Sequence, residues 1–376
     1  MEDKKFYSVK GAAFEAIDIP KVKEIRGKKY MYYGEDNLFP ELLIELYDGS
    51  AMHHTAIEAI KDGIIGDGIE IIGGNVVNKK GETVDEIFER ISLDYAIYNG
   101  YALNVVWNKG GDRIAEIYHL PFANVRSGKP EDSDEVVEYY YSSDWTNLRK
   151  HKEVPYRAFD PTDNKGDNAS QIYYCYGYTP GNDVYPMPAY VGGLNDIALD
   201  GRVSRFHNAN ISNGLAPSMF VKFNNGIPTP EERRDIYREI EDTFTGEDNA
   251  GRFFLSFSDG PERAMQVEAI ENANDDYYLT LEQRITSRIL TAHRISSPLL
   301  LGIKDASGFS NNADEIKVAY AHFEGTVIEP KRKKIVSTYG YILALHGLNV
   351  SLEVKPNKLI PETGLEDNAT ETNIIE

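Results

Sequence analysis

Residues 289–312 read ILTAHRISSPLLLGIKDASGFSNN, a run that holds the end of one helix, a stop, a loop and the start of another helix. Upstream of it, Tyr278, Leu281, Ile285 and Ile289 recur at spacings of three and four, the period of one apolar helix face. A helix is therefore predicted over 276–294, with Arg284, Arg288 and Arg294 beside or off that face. Ser296-Ser297-Pro298 ends it, because proline lacks the N–H that would continue the ladder. A loop follows from Leu299 to Phe309. Asn312, with Glu315 three residues on, has the spacing of a capping box. A further helix is predicted over 313–346, about 51 Å long if unbroken. Pro330 must kink or interrupt it.

Working back from this run, residues 215–272 form a small module. Met219–Phe223 reads as a strand, and Thr229-Pro230-Glu231-Glu232 opens a helix with a cap, a proline at the first position and a glutamate three residues on. Strands at 252–257 and 266–270 complete a β-α-β-β order. Ahead of it, 188–213 is predicted as one helix of about 39 Å. Tyr190, Val191, Leu194, Ile197, Ala198 and Val203 form its face. Gly192, Gly193 and Gly201 weaken it locally but permit a neighbour to come close.

Nearer the N-terminus a helix is expected over 40–47, capped by Asp36 or Asn37, and another over 50–62, capped by Ser50 and stopped by Gly63. Thr83 opens an amphipathic helix with Val84, Ile87, Phe88, Ile91 and Tyr95 on one face. Residues 101–108 and 113–119 alternate as a β-hairpin, and 136–141 and 171–178 are further strands. The stretch 142–170, interrupted by Pro155 and Pro161, is expected to be mostly loop or irregular strand. A short strand is expected at 350–355, and the acidic tail from Glu362 is expected to be disordered. The fold class is α+β.

Composition narrows the function less. The chain has 376 residues, 40 basic and 60 acidic, for a formal charge of −20. Tight static DNA binders are usually basic, since Lys and Arg release phosphate counterions. No apolar run reaches membrane-spanning length and no leader is evident. The single cysteine, Cys175, excludes an intrachain disulfide and fits a reducing cytoplasm. Tyrosine is abundant, with clusters at Tyr30–Tyr33, Tyr139–Tyr141 and Tyr173–Tyr178 that suit half-buried strands or subunit interfaces.

Chemistry finds no foothold in the motifs. The glycine-rich run from Gly63 to Gly74 lacks the Lys-Ser/Thr of a nucleotide-binding loop. There is no GxSxG, HExxH, CxxC or EF-hand pattern. His53 and His54 are adjacent and face different ways on a helix, and His293, His322 and His346 have no second ligand nearby in sequence. Cys175 lies in a tyrosine-rich strand and reads as a structural thiol. No catalytic, metal or cofactor site is expected, and so no enzyme.

The order of elements, an α/β body, a long helix, a small module, a second helix, a loop and a third helix, resembles the portal proteins of tailed bacteriophages, the head-to-tail connector family. Local wording matches as well. Tyr185-Pro186-Met187-Pro188-Ala189-Tyr190 resembles the family's entry to its first long helix. Phe206-His207 with Asn210-Ile211, Asn213-Gly214 and Pro217-Ser218 resembles that helix's exit. Pro298-Leu299-Leu300-Leu301-Gly302 resembles the family's Pro-Pro-x-Leu-Leu-Gly segment, with Arg294-Ile295-Ser296-Ser297 replacing part of it. Phe309-Ser310-Asn311-Asn312 resembles the start of the next helix, and Glu35-Asp36-Asn37-Leu38-Phe39-Pro40 an N-terminal element of many portals.

The resemblance implies a portal fold with an α/β wing (1–187), a first stem helix (188–214), a clip (215–272), a second stem helix (273–295), a tunnel loop (296–312), a long kinked wing helix (313–346) and a tail (347–376). It implies a ring of about twelve copies at one capsid vertex of a virion, assembled in the host cytoplasm, that passes double-stranded DNA during packaging and ejection. Ile303, Lys304, Asp305, Ala306, Ser307, Gly308 and Phe309 would line the channel. Arg284 and Arg288 would make inter-subunit ion pairs or face the channel. Glu231, Glu232, Arg233, Arg234, Glu247 and Asp248 would meet the large terminase or the tail and neck adaptors. The major capsid protein is a further implied partner, and no membrane is. Another ring-forming neck adaptor and a carbohydrate-binding protein are the alternative readings. The family's large crown domain is expected to be absent.

Overall fold

A computed structural model describes residues 17–69, 75–130, 135–212, 219–223, 229, 231–232, 234–236, 253–257, 266–269, 275–303 and 313–348. The chain divides into two compact units, residues 1–195 with 290–376, and 196–289.

In the first unit, a two-stranded ribbon of β1 (Val22–Glu24) and β2 (Met31–Tyr33) leads into helices α1 (Phe39–Gly49), α2 (Ala51–Ile65) and α3 (Val84–Tyr98). A six-stranded sheet follows, built from β3 (Gly100–Trp107), β4 (Ile114–Leu120), β5 (Val125–Ser127), β6 (Glu138–Tyr141), β7 (Val154–Ala158) and β8 (Ser170–Tyr176). Its order is β4-β3-β8-β7-β6-β5, with every neighbour antiparallel except β7 and β8. The hairpin of β3 and β4 lies where alternation placed it. β7 lies within 142–170, the stretch expected to be loop or irregular strand. Pro155 fits there because β8 pairs with β7 only at Arg157 and Ala158, so at Pro155 the strand has a neighbour on one side alone.

α3 forms as its sequence demands. Thr83 accepts from Glu86 N while the Glu86 side chain accepts from Thr83 N, the complete capping box. Val84, Ile87, Phe88 and Ile91 are buried along it. α1 differs from expectation. Its N-cap is Leu38, with no side-chain cap, because Asn37 is used elsewhere. α2 passes through Gly63 and ends at Ile65, with Gly66 closing it. Gly63 serves packing: a Cβ there would lie 2.8 Å from Ile328 Cδ1.

Asn37 is occupied by Arg126, whose side chain is fully buried. Its Nε donates to Asn37 Oδ1 at 2.8 Å and its Nη2 to Asn37 O at 2.7 Å. Nη1 donates to Ala123 O and Val125 O, and Nη2 also reaches both oxygens of Glu41 at 3.0 and 3.1 Å. Asn37 holds φ at 68°, a left-handed conformation that asparagine tolerates better than most residues. Nearby, Tyr33 stacks on Tyr185 at 4.1 Å, its hydroxyl donates to Pro186 O, and Tyr185 donates to Met31 O. Residues 31–41, β5 and the 185–188 segment are thereby joined.

After a short 3₁₀ turn at Val191–Gly193, α4 covers Leu194–Ser212, so the helix starts later than its apolar pattern suggested. Gly193 permits close contact, since a Cβ there would meet Ala292 Cβ at 2.5 Å. α5 covers Asp275–Ala292. It ends when Arg294 N bonds Thr291 O and Ile295 N bonds Leu290 O, with Arg294 at φ 61° in place of the usual glycine.

The C-terminal helix runs as α6 (Ala313–Phe323), a π-turn at Glu324–Ile328, and α7 (Glu329–His346). Pro330 would clash with the carbonyl four residues back in a regular helix. The wider π-turn ahead of it absorbs that misfit, so the irregularity precedes the proline instead of falling on it.

The second unit, Asp196–Ile289, contains a three-stranded sheet of order β10-β9-β11, from β9 (Met219–Phe223), β10 (Phe253–Phe257) and β11 (Gln266–Ala269). β9 pairs parallel with β10 and antiparallel with β11. Residues 231–232 and 234–236 are helical, which agrees with the β-α-β-β reading. The strand expected at 350–355 and the tail lie outside the described residues.

Arg126→Ala should lower the unfolding free energy by about 3–5 kcal/mol, because it strands Glu41 and the buried carbonyls of Asn37, Ala123 and Val125. Arg126→Lys should restore little, since an ammonium cannot reproduce the planar fork. Urea unfolding monitored by tryptophan fluorescence measures both.

Candidate functional site

The segment that follows α5 makes a capped turn. Ser297 caps a 3₁₀ turn at Pro298–Leu301 by accepting from Leu299 N at 3.3 Å. Gly302 takes φ 72° and closes the turn, with its N–H bonded to Leu299 O. Ile303, next in line, is 37% exposed despite its size. Lys304, Asp305, Ala306, Ser307, Gly308 and Phe309 lie outside the described residues, and α6 takes up the chain at Ala313.

Two buried histidines hold the foot of this segment. His293 Nε2 lies 2.8 Å from His53 Nδ1 on α2, and both side chains are buried. Tyr190 packs edge-on against His53, and its hydroxyl donates to Ile97 O at 2.9 Å. Burial first, then His293 and His54, hold His53 down to about 2. Burial, then Lys331, holds His293 down to about 3. Both rings are therefore neutral in the fold, one donating and the other accepting. Lys331 lies over the Tyr95 ring, and burial together with Arg294 lowers it to about 8.

A cavity of about 300 Å³ lies beside the 3₁₀ turn, lined by Ala59, Leu300, Leu301, Phe323 and Ile328, with Glu58, Asp62 and Glu324 among its polar groups. These acids have partners. Lys61 pairs with Glu58 and with Asp62, and Arg332 pairs with Glu324 at 2.7 Å. Arg332 also donates to Gly63 O and Ile64 O, satisfying the last carbonyls of α2. The π-turn is thus fixed to α2 by one guanidinium.

In the second unit, Arg284 and Arg288 are exposed on α5. Arg288 has an intrachain partner, Asp196, at 3.2 Å. Glu231, Glu232 and Arg234 are exposed, and Glu232 closes a capping box with Thr229. Its carboxyl is held low by hydrogen bonds from the Thr229 backbone and side chain. Arg233, Glu247 and Asp248 lie outside the described residues. Among the described residues no group of three His, Cys, Asp or Glu side chains could hold a metal ion, and no helix is long and apolar enough to cross a membrane.

The model of the phage portal protein family matches residues 80–355, which is 276 of the 376. The chain belongs to the phage portal protein family. The match takes in α3, the six-stranded sheet, α4, the three-stranded sheet, α5 and the C-terminal helix. A probable portal protein of Haemophilus phage HP1 (strain HP1c1) is 26% identical over 161 residues, 40% of this chain and 46% of that protein. An uncharacterised protein of Rickettsia bellii (strain RML369-C) is 25% identical over 236 residues, 62% of this chain and 56% of that one. The chain thus aligns with about half the length of these relatives. A chain from the virion of a native gene transfer agent particle superposes with a TM-score of 0.56 at 17% identity, covering 85% of this chain and 84% of that one. A chain from the neck of a native gene transfer agent particle, computed with C12 symmetry, gives 0.54 at 18% identity, covering 85% of both. The fold is the α+β fold of portal proteins.

The sequence reading missed the pairing of His53 with His293, which are 240 positions apart. His54 beside His53 faces another way, His293 has no histidine near it in sequence, and no local spacing reports such a contact. The pair makes stability depend on pH. An unfolded histidine titrates near 6.5, so its stabilising effect is complete above that pH and is lost as pH falls towards the folded values near 2 and 3. Between pH 7.5 and 4.5 the wild type should lose about 5 kcal/mol more than a His53→Gln, His293→Gln double variant, roughly half from each ring. Equal losses in denaturant titrations at the two pH values would contradict this assignment.

Proposed function

We propose that the chain is the subunit of a ring at one capsid vertex, with a central channel through which double-stranded DNA enters and leaves. The observation that carries this reading is the family match across 80–355. The neck particle solved with C12 symmetry, whose chain shares this fold, supports a ring of twelve copies and a place in the virion. On this reading 1–187 and 313–346 form the wing, 188–214 and 273–295 the stem, and 215–272 the clip.

The charge suits the role. Twelve copies carry about −240 formal charge, which disfavours adhesion of a polyanion that must keep moving. The residues 303–309, which follow the Gly302 turn in sequence, would line the channel. Arg288, paired with Asp196, is assigned to holding α4 and α5 together within the chain, which leaves Arg284 as the stem arginine for a neighbour or for DNA. The exposed Glu231 and Arg234, with Arg233, Glu247 and Asp248, would face the large terminase during filling and the tail or neck adaptors afterwards. The wing would meet the major capsid protein. The chain would supply no catalysis, and a separate motor would provide the energy.

Shortening 303–308 should leave assembly intact and impair DNA packaging or retention. Light scattering on the purified variant and nuclease protection of packaged DNA read the two effects. If the shortened chain no longer assembles, the segment is an assembly element and the channel assignment is wrong.

A further inference from the structure

Residues 21–33, 128–129 and 145–153 contain nine Lys or Arg and two acidic residues, Glu24 and Glu153, a local charge of 9 − 2 = +7. The rest of the chain then carries −20 − 7 = −27. The fold gathers these segments round one aromatic cluster. Tyr30 packs edge-on against Trp145 at 4.9 Å and against Tyr140 at 5.7 Å, while Tyr32 and Leu148 pack on the outside of the cluster. Tyr30 bridges to Gly128, and Lys129 N donates to Lys29 O at 3.2 Å. From the inner side, the Arg126 guanidinium lies 4.8 Å from the Trp145 ring.

Two of the nine cations are neutralised: Lys23 by Glu35, and Lys129 by Glu24 at 2.6 Å. Lys28 lies over the Tyr30 ring. Arg26, Lys29, Arg149, Lys150 and Lys152 are exposed and have no ion-pair partner among the described residues. They sit on two turns, 25–29 and 146–152, which both adjoin Tyr30. Holding like charges together costs free energy unless something anionic meets them.

We propose that these two turns form a contact surface for the phosphate backbone of double-stranded DNA, separate from residues 303–309. The chemistry favours phosphate over an acidic protein. A protein interface needs an apolar centre, and here Tyr30, Tyr140 and Trp145 are buried, with only Ile19 and Val154 exposed in the sequence flanking the basic segments. Backbone phosphates need charge and reach, which lysine and arginine on turn tips supply, and no base is read. Buried aromatic rings also argue against stacking single-stranded bases. This surface does not depend on ring formation.

The test is fluorescence anisotropy of a labelled random-sequence duplex of about 30 base pairs, titrated with the full-length protein between about 50 and 200 mM salt. Arg26→Glu with Lys29→Glu, and Arg149→Glu with Lys150→Glu, are compared with Lys333→Glu and Lys334→Glu on α7, which change the charge equally. Each turn pair should weaken binding about tenfold or more and flatten the salt dependence by about 0.9 for each phosphate that is no longer neutralised. The α7 pair should do neither. Equal weakening by the α7 pair would reduce the effect to net charge and overturn the proposal. So would absence of duplex binding by the wild type at the lowest salt. Tighter binding of poly-glutamate than of duplex to the same residues would overturn it in favour of an acidic protein partner. Light scattering on each variant reports assembly separately, so a failure of the ring reading shows there and not in the anisotropy.

Discussion

A guanidinium removed from water has to find all its partners inside the protein, and Arg126 finds them in segments far apart in sequence. It binds the backbone and side chain of Asn37, the carboxylate of Glu41, and two carbonyls next to its own strand. That set of bonds joins the 35–41 turn and α1 to the edge of the six-stranded sheet. Trp145 lies over the same guanidinium, so the aromatic cluster beneath the two basic turns is tied to it as well. Tyr33 and Tyr185 extend the connection to the segment that leads into α4. Asn37 accepts a left-handed backbone to make this possible.

A second guanidinium works in the same way at the other side of the first unit. Arg332 binds Glu324 within the C-terminal helix and the terminal carbonyls of α2. The π-turn therefore faces α2 at the point where Gly63 leaves room for Ile328. The histidine pair fixes the end of α5 to α2 with a bond that requires at least one neutral ring. These polar ties hold the frame from which residues 303–312 leave and to which they return.

Much of this frame was legible in the sequence because its signals are local. Thr83 marked the start of α3, alternation marked β3 and β4, and Ser297-Pro298 marked the stop of the helix before them. The order of helix, module, helix and further helix was legible for the same reason, and it carried the family resemblance. What escaped was long-range or irregular. Arg126 sits in a three-residue strand with no pattern of its own. Its partner Asn37 therefore looked like a helix cap. Gly63 looked like a helix stop, because the approach of Ile328 from 265 positions away is invisible locally. Pro330 announced a distortion but not that a π-turn would take it up beforehand. The basic turns were diluted by a chain total of −20, and only folding brings them together.

The central claim is that this chain closes into a ring around a channel. Negative-stain electron microscopy of the purified full-length protein tests it most directly. The account predicts ring-shaped particles with a central hole and, in end-on class averages, about twelve-fold symmetry. Particles that remain single chains, with no ring even when capsid or scaffold partners are co-expressed, would contradict it.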